Sequence, residues 1–479
     1  MFNSFENNKI FLDLSYEELE KRNMEIKNDR RKCESDDYFK EKILQILKDE
    51  KKIKAVMLCF TDLEGKLLNL DYDKSFFISS YDNLTFDGSS VRGFSSQDKS
   101  DLRLNVDFSS FRFTPSNIFG AGKVIMFASA FNQDNIPYES DFRYKLKLLS
   151  QNLYEKNKTI INIAPEIEGF LLEGIDVEQN FQNLGKFDLV TTGGYFNSLP
   201  QDKLRKFIDA TAEIKRAMAF ENEKDHPEVA PSQFELNYKY TQAVEAADQI
   251  QLYKLICRQV AKLMGCTASF LPKPVMNING SGMHINISLS SNDKNLFYKQ
   301  GQEISQMGKK FATSILYYAK DLCLIINSSV NSYRRLDPKF EAPNEIKISS
   351  NDRSAMIRIP TANEKSARIE VRSVAPDCNP YLMIFAIVKT GMYKIDENNE
   401  VESILKKREK LPGNIYDAIR YFKASDLMEL TLGENVCEKF ADLKEITANR
   451  SPKDLGNTIK VSEIIYHHEI TNQSLWYNF

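Results

Sequence analysis

The sequence predicts an α+β fold, and three observations carry that prediction. Polar and apolar residues alternate with period two at His284, Asn286 and Ser288 against Ile285, Ile287 and Leu289, and again at Arg368, Glu370 and Arg372 against Ile369 and Val371. This is the pattern of strands with one polar face. Leu204, Phe207, Ile208, Thr211, Ile214 and Met218 recur instead at helical spacing. At 479 residues the chain is long enough for two or three domains and a large core.

The composition, 42% hydrophobic and 27% charged, is that of a soluble globular protein. A formal net charge of -3 supplies no basic field for nucleic acid or anionic lipid. The longest apolar runs, Val124 to Ala128 and Met383 to Val388, are too short to cross a bilayer. Met1 to Ile10 lacks a basic stretch followed by an apolar core, so no signal peptide is expected. Seven cysteines, at 33, 59, 257, 266, 323, 378 and 437, include no Cys-x-x-Cys pair. That argues against a thiolate zinc site and a disulfide framework, and for a cytoplasmic location.

Taken in order, Ser15-Tyr-Glu-Glu18 has the form of a capping box opening a helix to Lys32, so charged that one face must be solvated. Phe39, Ile43, Ile46 and Leu47 suggest a second helix. Together they read as a solvated surface extension, with a docking arm as the other reading. Lys54 to Thr61 is a strand, Leu63 to Lys66 a turn and Leu67 to Leu70 its return. Phe86-Asp-Gly-Ser-Ser-Val-Arg-Gly-Phe94 is a tight loop, and Val124 to Ala130 a buried strand. Pro137 and Asp141 mark a boundary before a helix through Leu153. Helices follow over 202–221 and from Gln242 to Leu263, the latter ended by Gly265. A long helix over 303–326, an arginine-bearing loop over 331–343, an apolar helix from Pro380 to Lys394 and a charged helical tail from Val401 complete the chain.

The charged segments carry the chemistry. In Ile163-Ala-Pro-Glu-Ile-Glu168 two carboxylates project from one strand face, and like charges that close need solvent or a cation. Hard divalent ions take carboxylate oxygens, although the motif alone favours a solvated strand face. Glu228 and Glu235 flank a turn, containing Pro231 and Ser232, that could bring both into one cleft. The Arg368, Glu370, Arg372 face suits either cross-strand salt bridging or an anion-plus-metal surface, since arginine forks bind phosphate and carboxylate oxygens in pairs. His284, one of four histidines, opens its strand after Asn279-Gly-Ser-Gly.

In order and content these segments closely resemble glutamine synthetases of the bacterial type. The matching segments are Asp87-Gly-Ser-Ser90, Glu166-x-Glu168, Gly193-Gly-Tyr-Phe196, Glu228-Val-Ala-Pro231, Glu235 and Asn279-Gly-Ser-Gly-Met-His284. They continue with Asn331-Ser-Tyr-Arg-Arg-Leu336, Glu341-Ala-Pro343, Arg353 to Pro360, Arg368 to Arg372 and Asn379-Pro-Tyr-Leu382. The resemblance runs from about residue 50 and implies a small β-grasp domain over 51–136, while the helical extension over residues 1–50 is longer than the usual start and has no family role. A large catalytic domain over 137–479 would follow, whose curved antiparallel sheet forms a funnel-shaped site.

By the same resemblance the reaction joins L-glutamate and ammonia using ATP, through γ-glutamyl phosphate, with two divalent ions per active site, magnesium or manganese. Glu168, Glu228 and Glu235 would hold one ion, and Glu166, His284 and Glu370 the other. Crowded carboxylates need positive charge, and two ions can neutralise them while bridging nucleotide phosphates. Arg353 and Arg358 would serve phosphoryl transfer. Arg335, Arg372 and the Asn279-Gly280 segment would hold glutamate, while Glu223, Tyr240, Ser288, Lys365 and Arg368 match nucleotide-side positions. Asp87, supplied by the neighbouring subunit in the family, would take the proton from ammonium, with Ser90, Tyr195 and Glu228 completing the small-cation site. Glu341 matches the flap residue that closes over the intermediate and excludes water. A site shared between subunits implies a dodecamer of two stacked hexameric rings.

The chain departs from the family pattern at Gly169, where an aromatic is usual, at Pro227 in place of a histidine, at Phe234 in place of a polar residue and at Ser96 in place of a regulatory arginine. Asn414-Ile-Tyr416 resembles an adenylylated tyrosine loop but reads on into a helix, so Tyr416 reads as structural. Two rivals stay open. One is a γ-glutamyl ligase of the same family acting on a polyamine or other amine, and the other a non-catalytic member. Retention of Asp87, Ser90 and Tyr195 favours ammonia, and retention of the six metal positions favours catalysis.

Overall fold

The computed structural model describes residues 11–32, 34–180, 186–197, 202–340, 342–393 and 409–454. Its N-terminal sheet has five strands, β1 (Ala55–Thr61), β2 (Leu67–Asp73), β3 (Leu84–Asp87), β4 (Asp101–Phe113) and β5 (Lys123–Phe131), ordered β2-β1-β5-β4-β3. β1 and β5 run parallel and the other neighbours antiparallel, making a mixed sheet. Val56 to Phe60 and Val124 to Phe131 are buried, so the two apolar runs become the central strands.

The first two helices, Tyr16–Arg31 and Asp36–Asp49, pack on this sheet. Ser15 caps the first by accepting from the Glu18 amide. The expected solvated extension is instead docked. Leu19, Asn23, Ile26 and Lys27 are buried, and the first helix packs on both β4 and the helix Lys203–Ala217. Asn23 donates to the carbonyls of Phe113 and Ala217, and Lys27 to that of Ala219 while pairing with Glu221. Arg30 pairs with Glu245 at 3.0 Å, and Arg112 approaches the same carboxylate at 3.3 Å. The charge that suggested a solvated face is thus matched by partners more than a hundred residues away in sequence, for which no local pattern exists.

Burial opposes ionisation of Glu245, but the charges of Arg30, Lys27 and Arg112 prevail and bring its carboxyl down to about 2. The unfolded chain therefore binds the proton more tightly, so this contribution is complete above the ordinary carboxylate range and is lost as pH falls through 2. We expect the thermal midpoint, followed by circular dichroism, to fall between about pH 5 and about pH 2, and Glu245→Gln to flatten that part of the profile.

The larger part is built on a ten-stranded sheet. Its strands are β6 (Thr159–Glu173), β7 (Asn222–Pro227), β8 (Gln233–Tyr238), β9 (Thr241–Gln242), β10 (Cys266–Ser269), β11 (Met283–Ser291), β12 (Lys294–Asn295), β13 (Glu345–Ser349), β14 (Ala355–Arg358) and β15 (Ile369–Val371). The main path runs β13-β14-β15-β11-β6-β8-β7, antiparallel except between β13 and β14. On β6, Ile161, Ile163 and Ile167 face the core while Glu166 and Glu168 face the other way. Helices Phe142–Asn157 and Ala243–Leu263 cover the apolar side of β6, and Pro380–Gly391 packs on both. One side of the sheet is dry, and the other is left for polar groups.

Two expectations about the second half change. The helix expected over 303–326 breaks at Tyr318 into Gln306–Tyr317 and Ala319–Ile326. Both pieces bury apolar faces, so periodicity continues across the break and hides it. The expected loop at Asn331 begins as a short helix, Val330–Arg335, started by a capping box between Ser329 and Ser332. Tyr416 lies at the start of the helix Ile415–Lys423 and donates to the carbonyl of Ala448. Among the described residues no helix is long and apolar enough to cross a membrane, and the six described cysteines are all free thiols.

Candidate active site

Strands β6, β7, β8, β11, β14 and β15 deliver polar side chains to one cavity of about 540 Å³. Strand register decides which of them meet. His284 stands opposite Glu166, Glu168 opposite Glu235, and Arg358 opposite Glu370. Nδ1 of His284 lies 3.5 Å from Glu166 and 3.5 Å from Glu370, making one group whose ligating atoms all fall within 4.8 Å of one another. Glu370 is almost fully buried and accepts from Arg358 at 2.6 Å and Arg372 at 3.1 Å.

A second group of the same span consists of Glu228, Glu235 and His226. The imidazole of His226 is 3.5 Å from Glu228 and 3.6 Å from Glu235. Glu168 stands between the groups. One of its oxygens accepts from the Gly282 amide at 2.8 Å and from Gln233, and the other lies 3.9 Å from Nε2 of His284.

His226 is the residue that sequence reasoning passed over. The β7–β8 ladder shifts register between Asn222 and Asp225, and beyond the shift His226 faces Glu235. Its ring also meets the rings of Tyr195 and Phe196 edge-on. The signal available in the sequence was adjacency: an imidazole immediately precedes Pro227, the position where the family histidine is missing.

The glycines of Asn279-Gly-Ser-Gly are explained by close approach. A Cβ on Gly280 would lie 2.4 Å from the Pro272 carbonyl, and one on Gly282 would lie 2.5 Å from the guanidinium of Arg335. Arg335, thereby admitted against the strand, donates to the carbonyls of Val374 and Arg372. Gly169 and Phe234, two departures from the family pattern, are cross-strand partners. A Cβ on Gly169 would come within 2.7 Å of the Phe234 ring and 3.0 Å of the Phe270 ring. The ring on β8 therefore fills the volume that an aromatic at 169 would occupy, on the face opposite Glu168.

The electrostatics follow from this crowding. At Glu166 burial opposes ionisation, but the hydrogen bond and charge of His284, with Asn286 and Lys224, bring the carboxyl down to about 2. Burial and the charges of Glu168 and Glu235 push the Glu228 carboxyl up to about 7. Burial also raises Glu168, reinforced by Glu235 and opposed by His284. At His284 burial disfavours the charged ring, yet Glu166, Glu168 and Glu370 raise it overall. So many carboxylates cannot all ionise at ordinary pH without added positive charge.

Tyr195, Asn279, Gly280, Arg353, Arg368 and Arg372 line the same cavity as the two groups. Ser288 lies farther along β11 on the face of His284, and Glu223 lies on β7. Tyr240 lines a separate cavity of about 660 Å³, and Lys365 sits in the exposed loop before β15. Asp87 and Ser90 are not brought to the cavity. Asp87 ends β3 in the N-terminal sheet and Ser90 lies in the short turn after it; Asp87 accepts from the Ser89 and Ser90 hydroxyls at 2.6 Å, which holds its carboxyl below the usual range. Their loop continues to Arg92, which pairs with buried Glu64, itself bonded to Lys444 at 2.7 Å. Glu341 lies outside the described residues.

Comparisons with known proteins agree with this geometry. Residues 52–132 match the family model for the glutamine synthetase β-grasp domain, and residues 139–456 that for the glutamine synthetase catalytic domain. The chain is 35% identical to the glutamine synthetase of Thermotoga maritima over 414 residues, 83% of this chain and 93% of that protein. It is 34% identical to that of Staphylococcus aureus over 419 residues, 83% and 92% respectively. Among solved structures, one titled "GmaS/ADP complex-Conformation 1" superposes with a TM-score of 0.74 at 26% identity, covering 88% of this chain and 99% of its own. Plasmodium falciparum glutamine synthetase, at 21% identity and a TM-score of 0.76 over 88% and 98%, shares the fold. The chain is an α+β protein with a β-grasp domain and a catalytic domain, and it belongs to the glutamine synthetase family of enzymes.

Proposed function

We propose that this enzyme ligates ammonia to L-glutamate in the cytoplasm, using ATP and two divalent ions, as a homo-oligomer whose active sites lie between subunits. The observation that carries the reading is the pair of carboxylate and histidine groups sharing one cavity with five arginines. The donor sets suit magnesium or manganese, being oxygen-rich with one imidazole each. Glu166, His284 and Glu370 would hold one ion, and Glu228 and Glu235 the other with Glu168 beside them. His226 stands within reach of the second. Ions held there would supply positive charge to offset the crowded carboxylates and the phosphoryl oxygens of a bound nucleotide.

The chain's own groups do the rest. Arg335, with Asn279 and Gly280, orients glutamate so that its side-chain carboxylate meets the γ-phosphoryl group of ATP. Arg353 and Arg358 neutralise charge as that group transfers, giving γ-glutamyl phosphate and ADP. Ammonium loses a proton to the Asp87 carboxylate of an adjoining subunit, and ammonia then attacks the acyl carbon, expelling phosphate. Tyr195 and Glu228, with Ser90, would select the small cation, while Arg368, Arg372, Glu223, Tyr240, Ser288 and Lys365 frame glutamate and nucleotide. Glu341 would close over the acyl phosphate and keep water out.

The rival is another amine in place of ammonium. Phosphate release measured with ATP and glutamate is expected to favour ammonium over methylamine and putrescine by about ten-fold or more. Comparable rates with either amine would transfer the assignment to a γ-glutamyl amide ligase.

A further inference from the structure

We propose that Lys224 is a nucleotide-phosphate-binding residue of this enzyme, a cation set on the wall of the cavity facing the arginines. The proposal rests on the ligase reading above, and its test is chosen to be separable from it. Lys224 lines the cavity from β7. Between Asn222 and Asp225 this strand carries two residues, Glu223 and Lys224, where β8 has only Asn237, the arrangement of a bulge that re-aims side chains. Asp225 turns away from the site and pairs with the buried Lys215 at 3.0 Å. Its neighbours in the alternation, Lys224 and His226, turn toward the site.

The other cations of the cavity already have partners. Arg358 and Arg372 bond to Glu370, Arg335 to two carbonyls, and Arg368 to Asn286 and the Ser366 carbonyl. Arg353 is engaged as well. Among the described residues Lys224 makes no hydrogen bond or ion pair, and its charge is felt across the cavity at Glu166. A flexible lysine on an otherwise satisfied wall is suited to a mobile polyanion, which it meets as a point charge, whereas arginine offers a fixed planar fork.

Direction along the sheet identifies the anion. β8 is antiparallel to both β6 and β7, and β11 is antiparallel to β6. Stepping back along β7 from Glu228 to Lys224 therefore moves the same way as stepping forward along β11 from His284 to Ser288. That is away from Asn279 and Gly280, which hold the glutamate end in our reading, and toward Ser288 and Tyr240, which frame the nucleotide. The phosphates of ATP would lie between, with Arg358 on one wall and Lys224 on the other.

The test uses full-length Lys224→Met and Lys224→Arg enzymes, checked for unchanged thermal midpoints. Lys224→Met should raise the KM for ATP about ten-fold and weaken calorimetric binding of ADP with magnesium by a similar factor. The KM values for glutamate and ammonium, and the affinity for phosphate-free adenosine, should stay within about two-fold, and Lys224→Arg should recover most of the loss. Unchanged ADP affinity, a rise confined to the glutamate KM, or equal losses for adenosine and ADP would each overturn the proposal. If the parent enzyme showed no ammonium-dependent reaction, the ligase reading would fail, while the ADP and adenosine titrations would still decide the role of Lys224.

Discussion

Glu370→Ala is expected to abolish ATP-dependent glutamine formation, lowering kcat/KM by two to three orders of magnitude or more. The substitution does two things at once. It removes an oxygen donor from the group formed with Glu166 and His284, and it leaves Arg358 and Arg372 without their common acceptor in a nearly water-free position. Arg358 is 39% exposed and Arg372 keeps the Arg353 carbonyl, so the broken pair is screened by solvent, and the loss of rate follows chiefly from the charge removed beside the transferring phosphoryl group. Glu370→Gln separates the effects. It keeps an oxygen for the arginines but not the charge, so activity should fall nearly as far while the thermal midpoint falls less. Phosphate release and calorimetric manganese binding would report the two quantities. A variant that turns over at the parent rate would remove the basis for placing a cation there.

Asp87→Ala is the second large effect, and its character should differ. The carboxylate sits in the N-terminal sheet, held by Ser89 and Ser90, and does not line the cavity of its own chain. If it accepts the ammonium proton from across a subunit boundary, its loss should cost about two to four orders of magnitude in the ammonium-dependent rate. ADP and glutamate affinities should remain. Because Asp87 and Glu370 would then serve different halves of one site, mixing Asp87→Ala and Glu370→Ala chains under dissociating conditions and reassembling them should restore activity that neither parent possesses. A mixture as inactive as its components would refute the shared site.

What could be read from sequence was local. Alternation in β6, β11 and β15 placed Glu166 with Glu168, and Arg368 with Glu370 and Arg372, on single faces, because a strand repeats every two residues whatever lies beside it. His226 escaped because its partners depend on a shift in the β7–β8 ladder, which belongs to a pair of strands and not to either one. The docking of the first helix escaped for a similar reason. Lys27 reads as a solvated charge until Ala219 and Glu221 are beside it. The break at Tyr318 escaped because both halves bury the same kind of face.

The contact between Gly169 and Phe234 has a consequence for how this chain can change. Two departures from the expected pattern thus meet in one feature of packing, a glycine on β6 whose missing side-chain volume is filled by a ring on β8. Restoring a large residue at 169 alone would force two rings into one volume, and trimming 234 alone would leave a hole worth about 3–5 kcal/mol. The two positions are therefore coupled in packing, and a change at either one is tolerated only with a compensating change at the other. Glu168 and Glu235 adjoin these two residues on the other face of the same strands, so an unfilled volume here would lie directly behind two of the cavity's carboxylates.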